Sequence, residues 1–193
     1  MATVEKSITV NVPVRTAYNQ WTQFEEFPQF MEGVKSIRQL DDKNLHWRAK
    51  IGPKEEEWQA EIMEQIPDQR IAWRSTTGAK NGGVVTFHRL DENTTRIMLQ
   101  IEYDPEGVVE NVGDAMGVVD RRIEGDLKRF KEFIESRQQP TGAWRGEIHG
   151  QQVEAGPGQT SQGQGSQTKT TPGSATKRSA TKSQTSRSKK TKS

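Results

Sequence analysis

The chain has 193 residues, with 28 Lys or Arg, 26 Asp or Glu and no cysteine. That length suits one ordinary domain with something appended, and the missing cysteine excludes disulfides, thiolate metal sites and a cysteine nucleophile. No stretch approaches the ~20 apolar residues of a membrane span and MATVEKSITV carries no signal-peptide core, so a cytoplasmic location is expected.

Residues 6–12 alternate, with Ile8, Val10 and Val12 on one side and Ser7, Thr9 and Asn11 on the other, which predicts a half-buried first strand. Pro13 ends it, and Val14, Ala17, Tyr18 and Trp21 then recur at helical spacing. In FEEFPQFMEGV, residues 24–34, Pro28 suits the first turn of a second short helix that Gly33 can terminate. Phe24 is expected to face the core, with Phe27, Phe30 and Met31 turned toward the mouth of any cavity.

From Val34 the period becomes two. Leu45, Trp47, Ala49 and Ile51 share one face; Trp58, Ala60 and Ile62 share the next. Ile71 with Trp73, Val85 with Phe87, and the row Thr95, Ile97, Leu99, Ile101 and Tyr103 complete the pattern. Turn chemistry separates these runs at 41–44, Gly52-Pro53, 67–69, Asn81-Gly82-Gly83 and 91–93. Six strands in an antiparallel meander follow, seven with the first. Beyond Pro105, Val112, Met116, Val119, Ile123, Leu127, Phe130 and Ile134 line one stripe of a helix of about 25 residues. Arg121, Arg122, Glu124, Lys128 and Lys131 take the remaining surface, and Gly113, Gly117 and Gly125 are costly for a helix, at roughly 1 kcal/mol each.

Charge divides the chain. Residues 151–193 carry eight Lys or Arg and one acid, Glu154, whereas the remainder carries 20 basic and 25 acidic residues. With so few apolar side chains, 151–193 is expected to be a disordered basic tail, joined by a linker at 139–150 to a domain over 1–138. Its Lys and Arg, between 169 and 192, suit nonspecific contact with a polyanion such as nucleic acid.

Strand, two short helices, six antiparallel strands and one long amphipathic helix make an α+β fold, a curved sheet that must cover its apolar face. The stretches VPVRTAYNQW (12–21), FPQFMEGV (27–34), EEWQAEIMEQIPDQRIAWRS (56–75), GGVVTFHRL (82–90), TTRIMLQIEYDPEG (94–107) and LKRFKEFIE (127–135) resemble the START-like, helix-grip superfamily. The resemblance is to its bacterial polyketide cyclase/dehydrase branch. It implies a seven-stranded curved antiparallel sheet gripping the long C-terminal helix, with a cavity between them for a hydrophobic or amphipathic small molecule.

The residues themselves argue against hydrolytic or metal chemistry. His46, His88 and His149 lie far apart and no pair has metal-ligand spacing, so no metal and no cofactor are expected. Three indoles inside one sheet exceed what a core of this size needs, and each carries an N–H that must find a partner. A pocket wall of Phe27, Phe30, Met31, Trp47, Trp58, Trp73, Phe87, Leu99, Tyr103 and Met116 accounts for them, with Ser75 and the Tyr103 hydroxyl as polar anchors. Arg38, Arg48 or Arg74 would suit an acidic head group if turned inward, which parity opposes for Arg48 and Arg74. Binding or transport of a lipid, quinone or polyketide-like molecule without catalysis is the leading expectation. A polyketide-type aromatase/cyclase is the alternative, since cyclisation can rest on holding a chain in shape. An interaction protein with a nucleic-acid-binding tail is the third.

Overall fold

Nine antiparallel strands and two α-helices account for most of the described residues. The computed structural model describes residues 1–51, 54–105 and 112–158, without the side chains of 51 and 112–116. After β1 (Ala2–Val10), Pro13 opens α1 (Val14–Trp21), its carbonyl accepting the amides of Thr16 and Ala17. Helical spacing then turns Ala17, Tyr18 and Trp21 into the core.

The aromatic stretch that follows is a 3-10 helix, Phe24–Gln29. Pro28 lies near its end rather than in the first turn of a later helix, which corrects the expectation. With three residues per turn, side chains at i and i+3 eclipse. Phe24 therefore stacks on Phe27 at 5.4 Å, and Phe30 continues the row at 5.3 Å. Gly33, at φ +79°, turns the chain into β2.

The strands β2 (Val34–Gln39), β3 (Asn44–Ile51), β4 (Lys54–Ile66), β5 (Arg70–Gly78), β6 (Asn81–Asp91) and β7 (Thr94–Tyr103) form the expected meander. β1 closes onto β7, giving the order β1-β7-β6-β5-β4-β3-β2. Asn81-Gly82-Gly83 is not a hairpin turn as expected. It begins β6, with Gly82 opposite Arg74 and Gly83 opposite Trp73, while Gly78 at φ +74° makes the turn. Glycine at 83 has a packing reason: an added Cβ would lie 2.6 Å from the Trp73 ring.

The long helix α2 (Val112–Arg137) lies against the sheet's apolar face and buries Ile123, Leu127, Phe130 and Ile134. Each such burial stabilises by about 1.5–3 kcal/mol. The α+β helix-grip class is as expected; the strand count is higher by two.

Of those two strands, the first falls where a linker was expected and the second at the start of the expected disordered tail. Residues 139–150 are packed, not free: Thr141 bonds Gln20, and the Trp144 amide donates to the Thr22 hydroxyl. Arg145 meets Asp68 through two 2.8 Å bonds and also donates to Asn19. β8 (Glu147–His149) pairs with β4 at Glu64 and Gln65, just beyond the point where β3 leaves that edge, and β9 (Gln152–Glu154) pairs with β8. Covering an open strand edge in this way removes a site for unwanted pairing. Ile148 is fully buried. The remainder of the expected basic tail, from residue 159, lies outside the described residues.

Candidate ligand cavity

Between the sheet and α2 lies a cavity of about 200 Å³. Its floor is built by period two: Leu45, Trp47 and Ala49 from β3, Trp58 and Ile62 from β4, Ile71 and Trp73 from β5, and Leu99, Ile101 and Tyr103 from β7. Its roof is Val118, Val119, Ile123 and Leu127 of α2, and Trp21, Phe24, Phe27 and Met31 close one end. Trp47 and Trp58 are direct partners across β3 and β4, so their indoles stack, 5.5 Å apart and 12° from parallel.

Of the residues expected on such a wall, Phe27, Met31, Trp47, Trp58, Trp73, Leu99 and Tyr103 line this cavity. Phe30 does not: it packs against Phe130 and Phe133, because the three-residue repeat carries it past the mouth to the helix. Phe87 sits at the far end of the sheet against Tyr18 and Trp21. Ser75 braces the β5–β6 hairpin instead, its Oγ accepting the Asn81 amide at 3.0 Å. The side chain of Met116 lies outside the described residues. Arg38, Arg48 and Arg74 all point outward, Arg48 to Glu57 and Arg74 to Glu61.

The wall's polar atoms are few. The Trp47 Nε1 and the Tyr103 hydroxyl are buried without a hydrogen-bond partner among the described residues. Burial, with a smaller contribution from Asp120, raises the Tyr103 phenol above its ordinary 10.0, so it stays a neutral donor at physiological pH. An unpartnered buried donor costs about 1–3 kcal/mol.

Sequence reading missed the polar rim. Glu32, Arg122 and Asp126 line one side of the cavity. Arg122 was expected on the outer surface of the helix. It instead crosses to the facing loop, donating Nε to the Glu32 carbonyl and Nη2 to the carbonyls of Glu32 and Lys50. Gly33 makes room: an added Cβ would lie 1.5 Å from Arg122 Nη2. Asp126 accepts the Glu32 amide at 2.8 Å and pairs with Arg129, and burial is the main influence raising its carboxyl above the usual range. Spacing held the signal, since Arg122 and Asp126 are one turn apart, beside Ile123 and Leu127.

Among the described residues no group of three or more His, Asp or Glu side chains could hold a metal ion. His46 lies beside Glu57, His88 bonds Thr86, and His149 bonds Glu147. No helix among the described residues is long and apolar enough to cross a membrane. What the cavity can do is enclose an apolar body and offer donors to its oxygen atoms.

Residues 10–132 match the family described as polyketide cyclase/dehydrase and lipid transport, and the chain belongs to that family. An uncharacterised 17.2-kDa protein of Streptomyces lincolnensis is 56% identical over 149 residues, covering 77% of this chain and 99% of its own. An aromatase/cyclase structure from a Streptomyces species superposes with a TM-score of 0.60 at 16% identity, over 74% of this chain and 98% of its own. A START superfamily protein of Mycobacterium smegmatis gives 0.56 at 15% identity, over 70% and 95%. At those identities the two structures speak for the fold.

Proposed function

We propose that this protein binds or carries a hydrophobic small molecule in the cavity under α2, without transforming it. The observation that carries the reading is a cavity of about 200 Å³ walled by stacked indoles, with two buried donors left unpartnered. A dry apolar void of about 150 Å³ already accepts benzene, so this one admits a ring system of that order as it stands. Tight apolar packing would ordinarily close such a space, since interiors fill to crystal-like density.

Native mass spectrometry of protein purified from its own host tests the reading. A co-purifying lipid, quinone or polyketide-like molecule is the expected result. If nothing co-purifies and calorimetry with a panel of hydrophobic compounds shows no saturable binding, the proposal is wrong.

The likeness to an aromatase/cyclase favours a second reading, in which the cavity holds a polyketide-like chain while it cyclises. Tyr103 is then the proton donor to a developing oxygen. Product formation that is indifferent to Tyr103→Phe would rule this out.

A further inference from the structure

We infer that Arg122 is the anchor for an anionic head group, and that the guest is an apolar acid rather than a neutral hydrocarbon. This deepens the binding reading above and rests on it. Arg122 lines the cavity, and its guanidinium sits at the rim, where Nε and Nη2 are bonded to the backbone carbonyls of Glu32 and Lys50. No carboxylate lies within ion-pair distance of it among the described residues, and Nη1 has no acceptor there.

The acids at the same rim are already committed. Arg129 pairs with Asp126 and reaches Glu32 at 3.6 Å, and Asp126 also accepts the Glu32 amide. One arginine thus pairs with two carboxylates, while Arg122, almost two turns earlier on α2, forms no ion pair among the described residues and acts on Asp126 only at longer range.

Backbone carbonyls fix the Arg122 fork without neutralising its charge. A positioned guanidinium with no ion-pair partner, at the rim of an apolar space, is what a planar oxygen acid meets well, because its parallel N–H groups match the two oxygens. The loop is shaped for this placement, since any side chain at residue 33 would collide with Arg122. The Trp47 and Tyr103 donors lie along the same wall and suit further oxygen atoms on the guest body.

The chemistry shared by the candidate guests is a carboxylate on an apolar body, whether an aromatic ring or an alkyl chain. Calorimetry on the full chain with two matched pairs separates them: 2-naphthoate against methyl 2-naphthoate, and dodecanoate against methyl dodecanoate. The expected result is at least a tenfold preference for an acid over its ester, and the pair that shows it names the source. Arg122→Gln should erase that preference, while Arg122→Lys, which keeps the charge, should retain part of it. The lysine variant also guards against a glutamine variant that fails to fold. Equal binding of acid and ester in both pairs, or a preference that survives Arg122→Gln, overturns the assignment and leaves the binding reading standing. If none of the four probes binds, the assignment falls, and the binding reading is decided by the co-purification test above.

Discussion

The two ends of the sheet are made of the same kinds of residue and end in opposite states. At one end Tyr18, Trp21, Phe30, Phe87 and Phe130 pack ring on ring, with Trp21 4.9 Å from Phe130 and Tyr18 5.4 Å from Phe87. At the other, Trp47, Trp58, Trp73 and Tyr103 face an open space. Composition does not separate these ends; what lies opposite does. α1 and the 3-10 helix bring large side chains to the first end, whereas the part of α2 over the second presents Val118, Val119 and Arg122. An aromatic row on a strand is therefore core or pocket according to the size of its partner across the gap.

Substitutions at the two ends can break or sharpen that contrast. Phe130→Ala, at the filled end and with no solvent exposure, should cost about 3–5 kcal/mol in chemical denaturation, since truncating a packed ring leaves a cavity. A cost near that of a surface change would mean the filled end is loosely packed. Arg145→Ala, which removes the bidentate bond to Asp68 and the bond to Asn19, should cost about 1–3 kcal/mol and loosen the C-terminal strap. Faster hydrogen exchange at Ile148, measured by NMR, would accompany it.

Gly33→Ala, at the open end, should cost about 1–3 kcal/mol through its left-handed backbone alone, and should also displace Arg122. Trp47→Phe should change stability by less than about 1.5 kcal/mol, because Nε1 has no bond to lose. A larger loss there would show that the indole is structural after all. The smallest effect is electrostatic. Asp126 titrates above its ordinary 3.8, so the folded chain holds this proton to higher pH than the unfolded chain. Its contribution is fully present below 3.8 and declines as pH rises through the raised value. Asp126→Asn should flatten that part of the stability profile; a slope that persists unchanged would assign it to other groups.

Legibility in the sequence followed the same division. Alternation from Leu45 to Ile51 and from Thr95 to Tyr103 announced the inward rows, and the stripe from Val119 to Ile134 announced the gripping helix, because local period encodes which face is buried. The inner position of Arg122 was hidden, since a long side chain can lay its stem along an apolar wall and carry its charge to a rim. Residues 139–154 were hidden for another reason. Their order comes from Thr141, Trp144 and Arg145 reaching partners more than 70 positions away, and three-residue strands leave no period to detect. Phe30 and Phe87 were read onto the pocket wall because parity tells face but not distance along the sheet.

The parallel Trp47–Trp58 pair has an optical consequence. Two indoles at 5.5 Å and 12° couple their electronic transitions, and a third, Trp73, borders the same space. The protein therefore carries its own chromophoric reporter: near-ultraviolet circular dichroism from the coupled pair should register whatever slips between the sheet and the helix, without a label.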